Sequence, residues 1–385
     1  MGEEWPRVAR LEPASLIESV HAHSDLRLRL VGSLPGGEVG AALVVLPSGD
    51  TAVLSMWPGA LGARAPAVEE ILRTLRSRGY PAPAYLAVVA CGPVTAVVQE
   101  RVEGTPVGAV TTGLVRSLLD LNRLQRDALP VAGGSLADLY LDREGPGYCL
   151  HEPMRRHDRR TAALLERVHH VARVVPADAV RGHDAVHGDF HPGNVLVAAS
   201  SADRVAGVID WTGARAGDCG LDLVTLAFFL DAAGAPARAR AAVRERIGTD
   251  VRPAAALAFA AHLALRQVDW MVRHHGQPEV ERWSEVAERW LTWASRRRPG
   301  DGADAREVPV PFGERTSGHP PQHSFGVPFA RVVEVPDIDV SASAVPPPPA
   351  GQGRPEALSA AHACGEVSRF VAGERDTTSA SRPAT

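Results

Sequence analysis

Three polar side chains between residues 187 and 210 have the types and spacing to move a phosphoryl group. Asp189 and Asn194 lie in the run His187-Gly188-Asp189-Phe190-His191-Pro192-Gly193-Asn194, and Asp210 follows in Gly207-Val208-Ile209-Asp210-Trp211. An Asp followed five residues later by an Asn is the spacing at which a phosphoryl-transfer loop sets a proton-accepting carboxylate beside a magnesium-holding amide. Val195 to Val197 and Val205 to Ile209 are short β-branched runs, and the polar segment from Ala198 to Arg204 predicts the turn of an antiparallel hairpin between them. A hairpin brings its outer ends together, so Asn194 and Asp210 fall side by side, two oxygen donors suited to one hard cation. The alternation of His187, Asp189 and His191 leaves a second chemistry open, because on a strand all three would face one way, as the ligands of a hydrolytic metal do. That alternative gives Asn194 and Asp210 no task.

The segments HGDFHPGNVLV and GVIDWTGARAGDCGLDL resemble the catalytic and metal-binding loops of the aminoglycoside phosphotransferase family, small-molecule kinases that share the protein kinase fold. The resemblance implies that Asp189 is the catalytic base, that Asn194 and Asp210 are magnesium ligands, that His187 and Asp222 brace the loop and that His191 orients it. It also implies an α+β, bilobal, protein-kinase-like fold. An N-terminal antiparallel sheet lobe with one helix would span 1–103, and a larger, mostly helical lobe would span 104–297. The implied activity is transfer of the γ-phosphoryl group of ATP or GTP to a hydroxyl of a small molecule, such as an aminoglycoside or another amino- or sugar-alcohol. The likeness extends over residues 25–297, closely in the two loops and loosely before them.

The elements that must position these groups can be read in order. A short helix over 13–23 precedes a strand from Leu26 to Val31, where Leu alternates with Arg27 and Arg29. A glycine-rich turn containing Gly36 and Gly37, suited to covering phosphates, leads to strands from Ala41 to Leu46 and from Thr51 to Trp57. Val68, Ile71, Leu72 and Leu75 are at helical spacing, and Gly79 ends that helix. Strands from Tyr85 to Ala90 and Val94 to Glu100 complete five, and Gln99 to Gly104, including Arg101, is the connector that meets the nucleotide base in kinases. The third strand should carry a phosphate-gripping lysine, yet Ser55 stands in its place. The chain has no lysine at all, so each of its 41 basic residues is arginine. Arg64 is the nearest substitute, with Arg27 and Arg29 next. Glu69 and Glu70 both lie on the helix that should bear the lysine's partner. This departure keeps open a second function, a catalytically weak nucleotide-binding module.

From about residue 110 the pattern is helical. Helices are expected over 155–173, 221–232, 235–247, 254–274 and 279–296, the last with Trp283, Val286, Trp290 and Trp293 as a core stripe. Asp218, Asp269, Glu279, Glu281 and Glu285 are the carboxylates available for a cationic acceptor, and a solvated helix face accounts for most of them equally well. Residues 298–385, rich in Pro, Gly, Ser and Ala, are expected to be disordered, with Pro346 to Pro349 as a candidate protein-docking element. A net charge of -4 indicates no nucleic-acid or anionic-lipid surface. No segment is long and apolar enough to span a bilayer, the N-terminus lacks a signal h-region, and Cys91, Cys149, Cys219 and Cys364 are scattered, so a reducing cytoplasm is expected.

Overall fold

The computed structural model describes Trp5, residues 9–34 and residues 39–297; Gly36, Gly37 and the Pro-rich segment 298–385 lie outside the described residues. Helix α1 (Pro13–His23) opens with a proline, whose fixed φ suits a first turn, and buries Leu16, Ile17 and Val20. Arg27 donates to the Ser24 carbonyl at 2.8 Å, and the Leu28 N–H donates to His21 Nε2 at 2.9 Å. These bonds tie residues 25–28 to the helix end, so strand β1 (Arg29–Leu34) starts and stops later than the Leu/Arg alternation predicts. Strands β2 (Ala41–Val45), β3 (Thr51–Pro58), β4 (Tyr85–Cys91) and β5 (Val94–Glu100) complete an antiparallel sheet of order β1-β2-β3-β5-β4.

Alternation on β3 separates the two faces of this sheet. Ala52 and Leu54 are buried with Leu16, Ile17 and Val20 of α1. Trp57 on β3, with Val97 on β5, is buried on the opposite side with Val68, Leu72 and Leu75 of α3 (Ala65–Ser77), reached through the single turn α2 (Gly59–Gly62). This second face carries Ser55, directly opposite Val97, and Gln99, directly opposite Val53.

The rest of the fold is mostly helical: α4 (Thr112–Gln125), α5 (His151–His157), α6 (Arg159–Val174), α7 (Gly220–Ala232), α8 (Ala237–Asp250), α9 (Pro253–His274) and α10 (Gln277–Arg296). The helix expected over 155–173 is two helices. Asp158 between them is extended, and its carboxylate accepts the Thr161 N–H at 2.7 Å, capping α6. Helix α7 is buried continuously from Gly220 to Phe228, which explains why its sequence shows no polar face. On α10, Trp283, Val286 and Trp290 are buried, and Phe228 of α7 stacks on Trp283 at 5.8 Å, so the aromatic stripe is core as its period predicts. Among the described residues no helix is long and apolar enough to cross a membrane.

Short strands carry the motif residues. Strand β6 (Thr105–Pro106) pairs with β8 (Val195–Ala198), which pairs with β9 (Ser201–Val208), while β7 (Asp184–Val186) pairs with β10 (Arg215–Gly217). The hairpin turn is only Ala199 and Ser200. The polar segment expected to be turn continues β9 as exposed strand, its extra residues absorbed by irregularities in register at Leu196/Val197 and Val197/Ala198.

Candidate active site

The loop bearing Asp189 hangs from one buried carboxylate. Asp222, on α7 and fully buried, accepts the N–H groups of His187 (2.7 Å) and Gly188 (2.9 Å) and the Gln125 side-chain amide (2.7 Å). Gly188 has φ 84°, and a Cβ there would lie 2.7 Å from the Gly213 carbonyl oxygen, so only glycine fits. His187 accepts the Asp189 N–H on Nδ1 (3.2 Å) and donates from Nε2 to the Ile209 carbonyl (3.0 Å), its ring 4.4 Å from that of Trp211. Both ring nitrogens are engaged in the fold, which leaves His187 no lone pair for the hydrolytic metal that the alternation allowed. Among the described residues no three His, Cys, Asp or Glu side chains converge as such a metal would need.

The structure brings Asp189, Asn194 and Asp210 together. Asn194 Nδ2 donates to the Asp189 carbonyl (2.9 Å) and to its Oδ2 (3.3 Å), so the amide oxygen, with no hydrogen bond among the described residues, is directed elsewhere. The Ile209 N–H donates to the Asn194 carbonyl at 2.9 Å, which joins the two ends of the hairpin as expected. Asp210 is exposed and has φ 62°, a left-handed conformation that Asp tolerates; its Oδ1 accepts from Thr212 Oγ1 at 2.7 Å. One neutral and one charged oxygen at a loop end, open to solvent, fit magnesium, which binds through a carboxylate or two and keeps water and phosphate oxygens for the rest of its shell.

One participant was not visible in the motifs. Arg266, from the middle of α9, donates from Nη1 to the Gly188 carbonyl at 2.7 Å and places Nη2 3.1 Å from Asp189 Oδ2. His191, stacked on Phe229 at 4.1 Å, holds its Nδ1 on the Gly193 N–H and its Nε2 3.6 Å from Asp189 Oδ1. Burial would push the Asp189 carboxyl up, but Arg266, then His191 and His187, outweigh it and hold the group well below the usual carboxylate range. With its folded value depressed, Asp189 contributes its full stabilisation above the ordinary carboxylate range and loses it only as the pH falls through the depressed value. Turnover should therefore show no acid limb from Asp189 above about pH 4. A pH profile of kcat/KM checks this, and a limb near pH 5 to 6 that disappears in a variant lacking the Asp189 carboxylate would contradict it.

The remaining expected residues are placed as follows. Ser55 is half-buried, and its hydroxyl is 3.4 Å from the Val97 carbonyl, a neutral contact inside the sheet. Gln99 shares the Ser55 face beside Tyr85, whose hydroxyl is pushed up by burial and then by Asp210, so this face looks toward the Asp210 loop. Arg64, just before α3, donates to the Ala214 carbonyl at 2.7 Å and so reaches that same loop. Arg101 pairs with exposed Glu103 at 3.3 Å within the connector. Glu69 and Glu70 both pair with Arg73 on the outer side of α3 and give the missing lysine no counterpart. Arg27 is spent on the end of α1. The carboxylates available for a cationic acceptor each have partners: Asp269 with Arg273 in a buried pair (2.8 Å), Glu279 with Arg282, Glu285 near Arg160, Glu281 with Gln277, and Asp218 with the Gly220 N–H.

Residues 36–257 match the model of the family described as "APH: Phosphotransferase enzyme family". Among curated proteins none matches. Among solved structures, a thermostable mutant of aminoglycoside phosphotransferase APH(4)-Ia, in a ternary complex with AMP-PNP and hygromycin B, is similar with a TM-score of 0.51 and 17% identity over 74% of this chain and 99% of that one. Aminoglycoside phosphotransferase APH(4)-Ia itself gives 0.51 and 17% over 72% and 97%. At these identities the likeness is one of fold.

Proposed function

The chain belongs to the phosphotransferase enzyme family, and from that premise we propose that it moves the γ-phosphoryl group of ATP or GTP to a hydroxyl of a small molecule. The observation that carries this reading is the Asp189 carboxylate held beside Asn194 on one braced loop, with exposed Asp210 at the adjoining end of the hairpin. Asp189, held ionised, takes the proton of the acceptor hydroxyl as its oxygen attacks phosphorus. Asn194 Oδ1 and Asp210 would hold magnesium, which when bound neutralises charge on the transferring phosphates. The AMP-PNP bound by the similar APH(4)-Ia structure supports a nucleoside triphosphate as donor. The three described cysteines are free and buried, which suits a reducing cytoplasm.

Asp210→Ala tests the metal assignment. Its carboxylate is exposed and serves no core contact, so the variant should fold normally and lose magnesium-dependent nucleotide binding, with Asn194→Ala milder because it removes a neutral oxygen. Calorimetric titration of nucleotide with and without magnesium decides it; unchanged metal dependence in Asp210→Ala sinks the assignment. In the same titration Arg64→Ala should weaken magnesium-nucleotide binding by about 1.5–3 kcal/mol, roughly ten- to a hundredfold, if this guanidinium beside Ala214 replaces the strand lysine. The neutral Ser55 favours the second reading, a catalytically weak nucleotide-binding module, and binding without turnover would establish it.

A further inference from the structure

Gly188, one residue before the candidate base, has a guanidinium on each of two sides. Arg266 donates to its carbonyl oxygen at 2.7 Å, and Arg215 Nη1 lies 3.1 Å from where a Gly188 Cβ would stand. Arg266 is balanced by Asp189 at 3.1 Å. Arg215, on β10, is not balanced: its hydrogen bond is to the Gly213 carbonyl at 3.1 Å, and among the described residues it forms no ion pair. The carboxylates that its charge feels, Asp222 and Asp138, are committed to other donors, Asp222 to the loop and Asp138 to the Ser135 N–H at 2.9 Å. Burial lowers the Arg215 pKa, as expected of a guanidinium desolvated without a partner. Arg215 is half-buried, and its one hydrogen bond, to a neutral carbonyl, leaves its charge without a paired counter-ion beside the Asp189 loop. No carboxylate other than Asp189 pairs with either guanidinium among the described residues.

We propose that Arg215 and Arg266 form an oxyanion subsite against Gly188, taking a phosphate or carboxylate group next to Asp189. Paired guanidiniums present several donors in fixed forks, the geometry that such planar or tetrahedral oxyanions match. Resting on the phosphotransferase reading, the anion has two sources with this chemistry, the phosphoryl group in transfer or an acid group carried by the acceptor beside its hydroxyl. The second source makes the acceptor a hydroxy acid or a phosphorylated alcohol, in contrast to a polycation.

The test is titration and thermal melting of the full chain with inorganic phosphate, Mg·ADP, Mg·AMP-PNP and glycerate, for wild type, Arg215→Met, Arg215→Lys and Arg266→Gln. Phosphate affinity should fall on the order of tenfold or more in Arg215→Met and in Arg266→Gln, and recover in part in Arg215→Lys. The ligand-free melting temperature of Arg215→Met should equal or exceed that of the wild type, which a purely structural arginine would not allow. If the subsite serves the phosphoryl group, Arg215→Met weakens Mg·AMP-PNP more than Mg·ADP; if it serves the acceptor, glycerate binding is lost and both nucleotides are unaffected. Phosphate binding that depends on Arg215 in a wild type that ignores Mg·ADP would sink the phosphotransferase reading and leave the subsite standing. The proposal is overturned if phosphate, AMP-PNP and glycerate affinities are unchanged in both neutral variants, or in Arg266→Gln alone should Arg215→Met not fold.

Discussion

Asp189→Asn should lower acceptor-dependent phosphoryl transfer by about 10²- to 10⁴-fold, the usual worth of a positioned general base. The amide keeps the shape of the carboxylate and can still meet Asn194, but it cannot take a proton from an alcohol. It also leaves the Arg266 guanidinium, 3.1 Å away, without its counter-charge. The loop itself should survive, because its backbone hangs from Asp222 and its histidine from Ile209, neither of which involves the Asp189 side chain. Magnesium-nucleotide binding should therefore persist while kcat collapses. Steady-state kinetics with a parallel nucleotide titration separates the two quantities, and wild-type turnover in Asp189→Asn would remove Asp189 from the role of base.

Asp222→Ala should be the most damaging change to stability. Three donors, the His187 and Gly188 N–H groups and the Gln125 amide, converge on this fully buried carboxylate, and the variant strands all of them without solvent. Breaking a buried, charged network of this kind costs about 3–5 kcal/mol. For a unit of this size that corresponds to a fall in Tm of roughly 10 °C. Turnover should fall too, even well below the transition, because Gly188 and the Asp189 backbone lose their anchor. Thermal unfolding and activity at a permissive temperature check both; a fall in Tm of a degree or two with full activity would show that the loop is held by something else.

The loop bearing Asp189 and the hairpin were legible because their chemistry is local. The spacing from Asp189 to Asn194, and the β-branched runs that join Asn194 to Asp210, are written in consecutive residues, and the structure places these groups side by side. The small-lobe strands were legible for the same reason, with β5 matching the expected Val94–Glu100. Arg266 was not legible. It reaches Gly188 across 78 positions from the interior of a long helix, and in a chain whose every basic residue is arginine its type carries no signal. Arg215 was hidden likewise, inside a stretch whose motif signal rests on Asp210 and Asp222. The start of β1 and the break at Asp158 were missed because side-chain caps, at His21 and Arg27 and at Asp158, override apolar period at element ends. The partners of the carboxylates available for a cationic acceptor, such as Arg273 for Asp269, become visible only once the helices are packed.

The most direct measurement follows the phosphoryl group itself. Wild-type protein and Asp189→Asn are incubated with Mg·ATP and pools of small alcohols, including amino-sugars, sugars and hydroxy acids, and the products are read by phosphorus NMR and mass spectrometry. The account predicts a new phosphate monoester of one pool member, formed in step with ADP by the wild type, dependent on magnesium and lost in Asp189→Asn. ATP consumed to inorganic phosphate alone, at the same rate in both proteins and whatever alcohol is present, would contradict it.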